Sequence, residues 1–592
     1  MRWWVGKLAL WCVLLAEAVL VTRVAPSRLW ARDPMSFDDL DTLLDLDPYL
    51  PIPPIRRLFP PEVVPVWNDA LMAPDIDLRR RAAETIAQAV SLGMPGLEVT
   101  VPNLQKLAAS DEEPVTVRLA AARALVQLDA RSCADAVWQV LQAAGMDRAS
   151  FLVVPLGRWG YRPAARPWTE LVADPQTLSY QVALALQGLA ELAWREAAPV
   201  VRQRLVDAAQ PRSIRLAAAR SLARLVPDEA ARLGADWSRN PAADPFSRLL
   251  AAELLQTHTQ PDLLTTLETL AQDSDPAVAN LALKKLYELD LERVARLAPQ
   301  VLPSPDSSVR RWVVRALGHF PSVEHVELLA GVLEDPHPQL RALARDQLLA
   351  FAEQPSLRDA VIGVAVSGLE QEDWRLVEQA ARIAGRLKYR PAARQLATLI
   401  EMPRLEASVT AAWALRRLEV PDVLPEVLER ATRLSETGMR RANTVDLDPL
   451  LSQVFQYFGL MNFRDAEPLL KRFLPKNSMS PEARAAAIWA LGRFYAGQPD
   501  ENLVKVLVER LSDVNSQPPE HDRVRQLCAV SLGRMRAESA LPALRRFYQQ
   551  EGSNMPTGLA CGWAIHQITG ESYQPPSQLA LFRQGWFLVP WK

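Results

Sequence analysis

One pattern returns along most of this chain and limits what it can become. Val117, Ala121, Ala124, Leu125 and Leu128 stand at i, i+4, i+7, i+8 and i+11. Val309, Val313, Ala316, Leu317 and Phe320 repeat the spacing, and so do Ala483, Ala487, Ala490, Leu491 and Phe494. Such spacing puts five apolar or small side chains on one stripe of an α-helix. An arginine follows the first member each time, Arg118, Arg310 and Arg484, and the same pair occurs as Leu78-Arg79, Ile214-Arg215, Leu340-Arg341 and Val524-Arg525. A helix striped on one side must bury the stripe against a neighbour. A recurring frame requires a recurring neighbour, which a stack of like units supplies.

Anchors of this frame fall near residues 79, 118, 149, 181, 215, 248, 279, 310, 341, 375, 408, 451, 484, 525 and 559, most of them 31 to 34 residues apart. Start signals such as DSDP at 273–276 and EDPHP at 334–338 precede several anchors; aspartate caps orphan N–H groups and proline fits the first helical turn. A second amphipathic segment follows each anchor helix. The hexapeptide YRPAAR, at 161–166 and again at 389–394, opens two of these second helices seven units apart. The reading is an all-α solenoid of about fifteen stacked helix pairs over residues 71–570. Pro155, inside the first helix of the third unit, predicts a break there. The longer steps from 408 to 451 and from 484 to 525 predict projecting loops near 435–449 and 513–523.

In this frame the chain resembles HEAT-repeat proteins, most closely the short HEAT-like repeats of the phycobilisome-lyase type. ALGHFPSVEHVELLAGVLEDPHPQLRALA at 316–344 and SLGRMRAESALPALRRFY at 531–548 carry the likeness. The resemblance implies an ARM-type superhelix whose second helices line an extended curved face. It thereby nominates Arg166, Arg394, Arg545 and Arg546 as partner-binding residues. It also implies an alternative, a lyase-like enzyme or enzyme subunit acting on a tetrapyrrole or protein substrate. HEAT-like hydroxylases that bind iron through His-Glu pairs are excluded, because no His-Glu dipeptide occurs.

The ends read differently. Arg2 and Lys7, the apolar run Leu8–Leu15 and the small-x-small triplet Ala16-Glu17-Ala18 have the order of an export signal, so residues 1–25 are expected to be a signal peptide or an N-terminal membrane anchor. Residues 26–70 form an acidic and then proline-rich linker. Asp38, Asp39, Asp41, Asp45 and Asp47 lack the order of a calcium loop and read as a solvated spacer. Residues 571–592 are an aromatic-rich cap or tail.

Little in the sequence points to chemistry. A net charge of −2 gives no electrostatic footprint for nucleic acid. Cys12, Cys133, Cys528 and Cys561 form no CxxC pair, and Cys528 and Cys561, at equivalent positions of consecutive units, are expected to stay unbridged. His319, His325 and His337 lie in one unit beside Glu324, Glu327 and Asp335, but without the i, i+4 spacing of a helical metal site. Nucleotide-binding loops and nucleophile elbows are missing, and no cofactor is implied. Among seventeen tryptophans, Trp312, Trp374, Trp413, Trp489 and Trp563 sit in first helices, where packing between units is their expected role. Together these readings describe an exported, periplasmic or inner-membrane-anchored, non-catalytic scaffold or adaptor of a bacterial-type cell envelope. Its partner would be another protein and not a nucleic acid, with membrane attachment through the N-terminal segment.

Overall fold

In the computed structural model the described residues are 40–588, except 54–55, 61, 241–242, 260–262, 442–446, 477–480, 578–579 and 583–585. The predicted export segment, residues 1–25, lies outside them, as do Asp38 and Asp39 of the acidic stretch. All fifteen anchors fall in helices, from Ile76–Ser91 in unit 1 to Pro556–Thr569 in unit 15. Between them run second helices, most of them shorter, and the fold is an all-α array of helix pairs. No helix among the described residues is long and apolar enough to cross a membrane.

The start signals act as expected. Asp244 accepts from the N–H groups of Phe246 and Ser247, Asp275 from Ala277, and Asp306 from Ser308 and Val309, each with proline or serine opening the helix behind it. Both copies of YRPAAR fold alike. Arg162–Ala164 and Arg390–Ala392 form single 3-10 turns that lead into the helices Ala165–Ala173 and Ala393–Leu399. The residue before each copy, Gly160 or Lys388, is left-handed, with φ of 72° and 52°. In unit 3 the first helix breaks as Pro155 predicts, into Met146–Ala149, a 3-10 turn at Ser150–Leu152 and Val153–Arg158.

The recurring arginine has a local task. Its guanidinium is buried or half-buried and reaches carbonyls at the end of the preceding second helix: Arg118 Nε to Ala108 at 3.1 Å, Arg215 Nε to Leu205 at 3.0 Å and Arg525 Nε to Leu511 at 3.1 Å. Those carbonyls lack intrahelical partners and sit at the negative end of the helix dipole, so a cation suits them. Acids in the loops complete several pairs, including Arg310 with Asp335 at 2.7 Å and Arg484 with Glu520 at 2.8 Å.

Over most of the array neighbouring first helices approach more closely than neighbouring second helices, most of all in units 10–15, whereas in units 8–9 the two rows are alike. Small residues permit this. Gly385 lies against Trp413 and Ala414, Gly459 against Trp489 and Ala490, and Gly533 against Trp563 and Ala564 of the following unit. An array bends toward its tighter row, so the first helices line the inner face. The expectation that the second helices do so is corrected.

Two further expectations change. Near 435–449 the extra length of unit 11 is taken up by an 18-residue second helix, Leu424–Arg441, in place of much of the expected loop. At 513–523 the chain leaves helix from Asp513 to His521 but does not simply project. Glu520 is buried beneath it on Arg484, and Asp513 accepts from Lys476 Nζ at 2.8 Å.

The acidic stretch is not a free spacer: from Thr42 to Asp47 it is bound along units 12–14, as described below. Further along, β1 (Arg56–Leu58) pairs in parallel with β2 (Ala580–Phe582) of the C-terminal tail. Trp586 of the tail packs 5.5 Å from Trp67 and 6.2 Å from Phe59, and Trp67 Nε1 donates to the Phe587 carbonyl at 2.6 Å. Both flanks of the array are thereby tied to unit 1, where Trp586 joins the core containing Trp67 and Ile86.

Candidate functional site

A dense set of polar groups on the inner face belongs to the first helices of units 12, 13 and 14, Asp448–Leu460, Pro481–Phe494 and Asp522–Met535. Asp448 links two of them. Its carboxylate accepts from the N–H groups of Glu482 and Ala483, the first turn of the next helix, at 3.1 and 2.7 Å. Burial pushes the Asp448 carboxyl up to about 6 even so, against the downward pull of those two N–H groups.

Across these helices lies Thr42–Asp47. Gln456 Oε1 accepts from Thr42 Oγ1 at 2.9 Å and from the Leu43 N–H at 2.7 Å. The Asp47 carbonyl accepts from Trp489 Nε1 and from Arg534 Nη2, both at 2.7 Å. Its carboxylate pairs with Arg493 at 2.7 Å and Arg534 at 2.5 Å, and Asp45 pairs with Arg523 at 2.5 Å. Leu44 is 2% exposed and anchors the segment between these contacts.

The receiving surface is organised around Trp489, which is fully buried between units. Arg493 and Arg534 lie over its ring at 5.2 and 5.6 Å from the centroid. Burial lowers the Arg534 pKa from the usual guanidinium value, while the Asp47 carboxylate opposes that fall. Trp489 therefore fills the interface between units, as expected, and also donates to a bound segment, which its position in the repeat did not reveal. Trp413 is likewise buried, and Trp312 donates to Asn280 of the preceding unit at 2.8 Å.

The sequence-nominated arginines are elsewhere. All four stand exposed on second helices. Arg166 pairs with Glu170 at 2.8 Å, Arg545 with Glu571 at 2.5 Å, and Arg546 lies over Phe547. Arg545 and Arg546 are adjacent, whereas Arg166 and Arg394 belong to units 3 and 10. The histidines of unit 8 do not converge. His319 Nε2 meets Tyr287, His325 Nδ1 meets the Phe320 carbonyl, and Asp335 is engaged by Arg310. Among the described residues no cluster of His, Cys, Asp and Glu has the makings of a metal site.

A cavity of 450 Å³ opens between the second helices of units 2 and 3, lined by Trp138, Leu141, Met146, Pro167, Trp168 and Glu170 among others. No histidine or cysteine lines it. Cys133, Cys528 and Cys561 are buried free thiols, so the pair in units 14 and 15 is unbridged as expected. Burial raises the Cys561 thiol to about 12 and moves Cys528 in the same direction, which makes both poor nucleophiles.

A family model of HEAT repeats matches residues 466–555, which run from the second helix of unit 12 to the end of unit 14. It describes HEAT repeats at large and does not single out the lyase type. No curated protein matches the chain. Among solved structures, the chain is similar to importin beta crystallised in ammonium sulfate, at 13% identity over 85% of this chain and 72% of that one, with a TM-score of 0.43. It is also similar to Kap95p, whose binding induces the switch loops of RanGDP to adopt the GTP-bound conformation (12%, 86% and 72%, TM-score 0.48). A third is Kap121p bound to the extreme C-terminus of the protein phosphatase Cdc14p (13%, 86% and 70%, TM-score 0.33). These likenesses are recorded as such, and the fold rests on the helix pairs described above.

Proposed function

We propose that the protein is a scaffold or adaptor that binds other proteins along the inner, first-helix face of its repeat array, and that it is exported to the cell envelope by residues 1–25. The observation that carries the binding role is Thr42–Asp47. The array holds a single helical turn, Leu43–Leu46, and its flanking residues, whose main-chain and carboxylate groups are bound by three successive first helices. Stacked units that contact only their neighbours offer such a surface over a long distance. The exposed arginines of the second-helix row, Arg166, Arg394, Arg545 and Arg546, are assigned peripheral charge contacts.

Photo-cross-linkers placed along both rows of the full-length protein in its native membrane fraction test the reading. One protein partner cross-linked to consecutive first helices is the expected result. Cross-links scattered without regard to row overturn it. A reporter fused after residue 70 tests export separately: activity outside the cytoplasm is expected, and activity confined to the cytoplasm overturns the envelope assignment.

A further inference from the structure

The contacts that seat Thr42–Asp47 are shared between its main chain and a few of its side chains. The Leu43 N–H and the Asp47 carbonyl are main-chain groups that any residue presents. The remainder is the Thr42 hydroxyl, one buried apolar side chain, Leu44, and two carboxylates, Asp45 within the helical turn Leu43–Leu46 and Asp47 just after it. Leu46 and Tyr49 point outward, 49% and 68% exposed. The segment is laid on the array and not built into its core.

The receiving side is more demanding than its occupant. Arg493, Arg523 and Arg534 converge on a stretch of three residues, and Trp489 Nε1 and Gln456 Oε1 supply a fixed donor and a fixed acceptor. Arg534 Nη1 is buried and finds no hydrogen-bond acceptor among the described residues. If the segment left, a buried tryptophan N–H and a partly buried guanidinium would lose their acceptors. Such a surface favours an anionic occupant with a carbonyl free to accept.

We propose that this face of units 12–14 is a binding site for short acidic segments of a partner protein that take up one helical turn, with an apolar residue followed by acids one and three positions on, and that Thr42–Asp47 occupies it in cis until a partner displaces it. This rests on the scaffold reading and names the chemistry of its partner. Because the cis segment is tethered close by at β1, its high effective concentration makes the site selective for partners that engage further units as well.

The test uses a labelled peptide of residues 42–50, TLLDLDPYL, and fluorescence anisotropy. The receptor is the full-length protein carrying Leu44→Ala, Asp45→Ala and Asp47→Ala, which unseat the cis segment. Saturable binding is expected, at least tenfold tighter than to the unsubstituted protein. It should be weakened at least tenfold by adding Arg534→Gln, and abolished when both acids of the peptide are asparagine. If the triple variant does not fold, full-length Asp47→Ala replaces it with the same expectations.

Absence of saturable binding, or equal binding of the asparagine peptide, overturns the proposal. So does dimerisation of the unsubstituted protein through exchange of the segment, which would make a second copy the occupant. The peptide assay involves no cellular partner, so its failure removes this site and leaves the cross-linking test of the scaffold reading intact. A positive peptide result with scattered cross-links removes the scaffold reading instead.

Discussion

Glu520 offers the sharpest perturbation of the array, because a loop that sequence spacing marks as an insertion carries a fully buried carboxylate. Its side chain is 0% exposed, and that of Arg484, 2.8 Å away, is 2% exposed. The backbone N–H of His521 also donates to Glu520 Oε1 at 2.8 Å, and Arg510 Nη1 lies 3.8 Å from the other oxygen. Glu520→Gln keeps the size and an acceptor but removes the charge that faces two guanidiniums. Breaking a buried pair from one side costs about 3–5 kcal/mol, and the retained acceptor places this change near about 3 kcal/mol. Units of such an array open locally, so hydrogen exchange in the helices Pro481–Phe494 and Asp522–Met535 is the proper assay. An opening equilibrium shifted by about 3 kcal/mol speeds exchange there roughly a hundredfold. Val514→Ala, at the exposed part of the same loop, should stay within about 0.5 kcal/mol. If Glu520→Gln changes exchange less than about threefold, the loop is a true insertion and the burial argument is wrong.

Three other perturbations probe the same account. Asp448 has a folded-state pKa raised to about 6 from the usual 3.8, so its contribution is fully present below about pH 4 and lost as pH rises through about 6. Asp448→Asn should therefore be more stable than the parent at pH 7.5, by up to about 2 kcal/mol, with the advantage gone at pH 4; a difference independent of pH in thermal melts would contradict this. In Gly459→Ala the new Cβ would lie 2.6 Å from Trp489 Cζ3 and 2.8 Å from Ala490, costing about 1–2 kcal/mol and loosening the Asp47 contact, as read by local exchange. Lys388→Gly relieves a left-handed residue where unit 3 already has Gly160, and should raise the local opening free energy by about 0.5–1 kcal/mol; a loss of stability would refute the strain argument.

The repeat was legible because its signals are local. Apolar spacing, aspartate caps and proline at the first turn act within a dozen residues, and Pro155 broke its helix where expected. The reason for the recurring arginine was less plain, although a signal existed. Arg118 and Arg215 each stand ten residues after the carbonyl they bind, a constant offset that marks the preceding helix end. The inner-face assignment followed a resemblance and not the residues. The glycines Gly385, Gly459 and Gly533, each opposed by a Trp-Ala pair in the next unit, were the evidence that the first helices form the close row. Thr42–Asp47 was hidden for a different reason. Its contacts join residues more than 400 positions apart, and no periodicity spans that distance. Only charge hinted at it, in an acidic stretch without partners of its own and arginines at 493, 523 and 534 in excess of what the frame requires. β1 and β2, three residues each, are too short to leave an alternating pattern.

The central claim is that the first-helix face of units 12–14 holds the acidic segment Thr42–Asp47, and amide exchange across residues 42–47 measures it most directly. In the intact protein the Leu43 amide donates to Gln456 and Leu44 is buried, so this peptide should exchange far more slowly than an unstructured chain. Arg534→Gln should return it toward the unstructured rate while the flanking helices stay protected. Exchange of residues 42–47 at the unstructured rate in the unsubstituted protein would contradict the account.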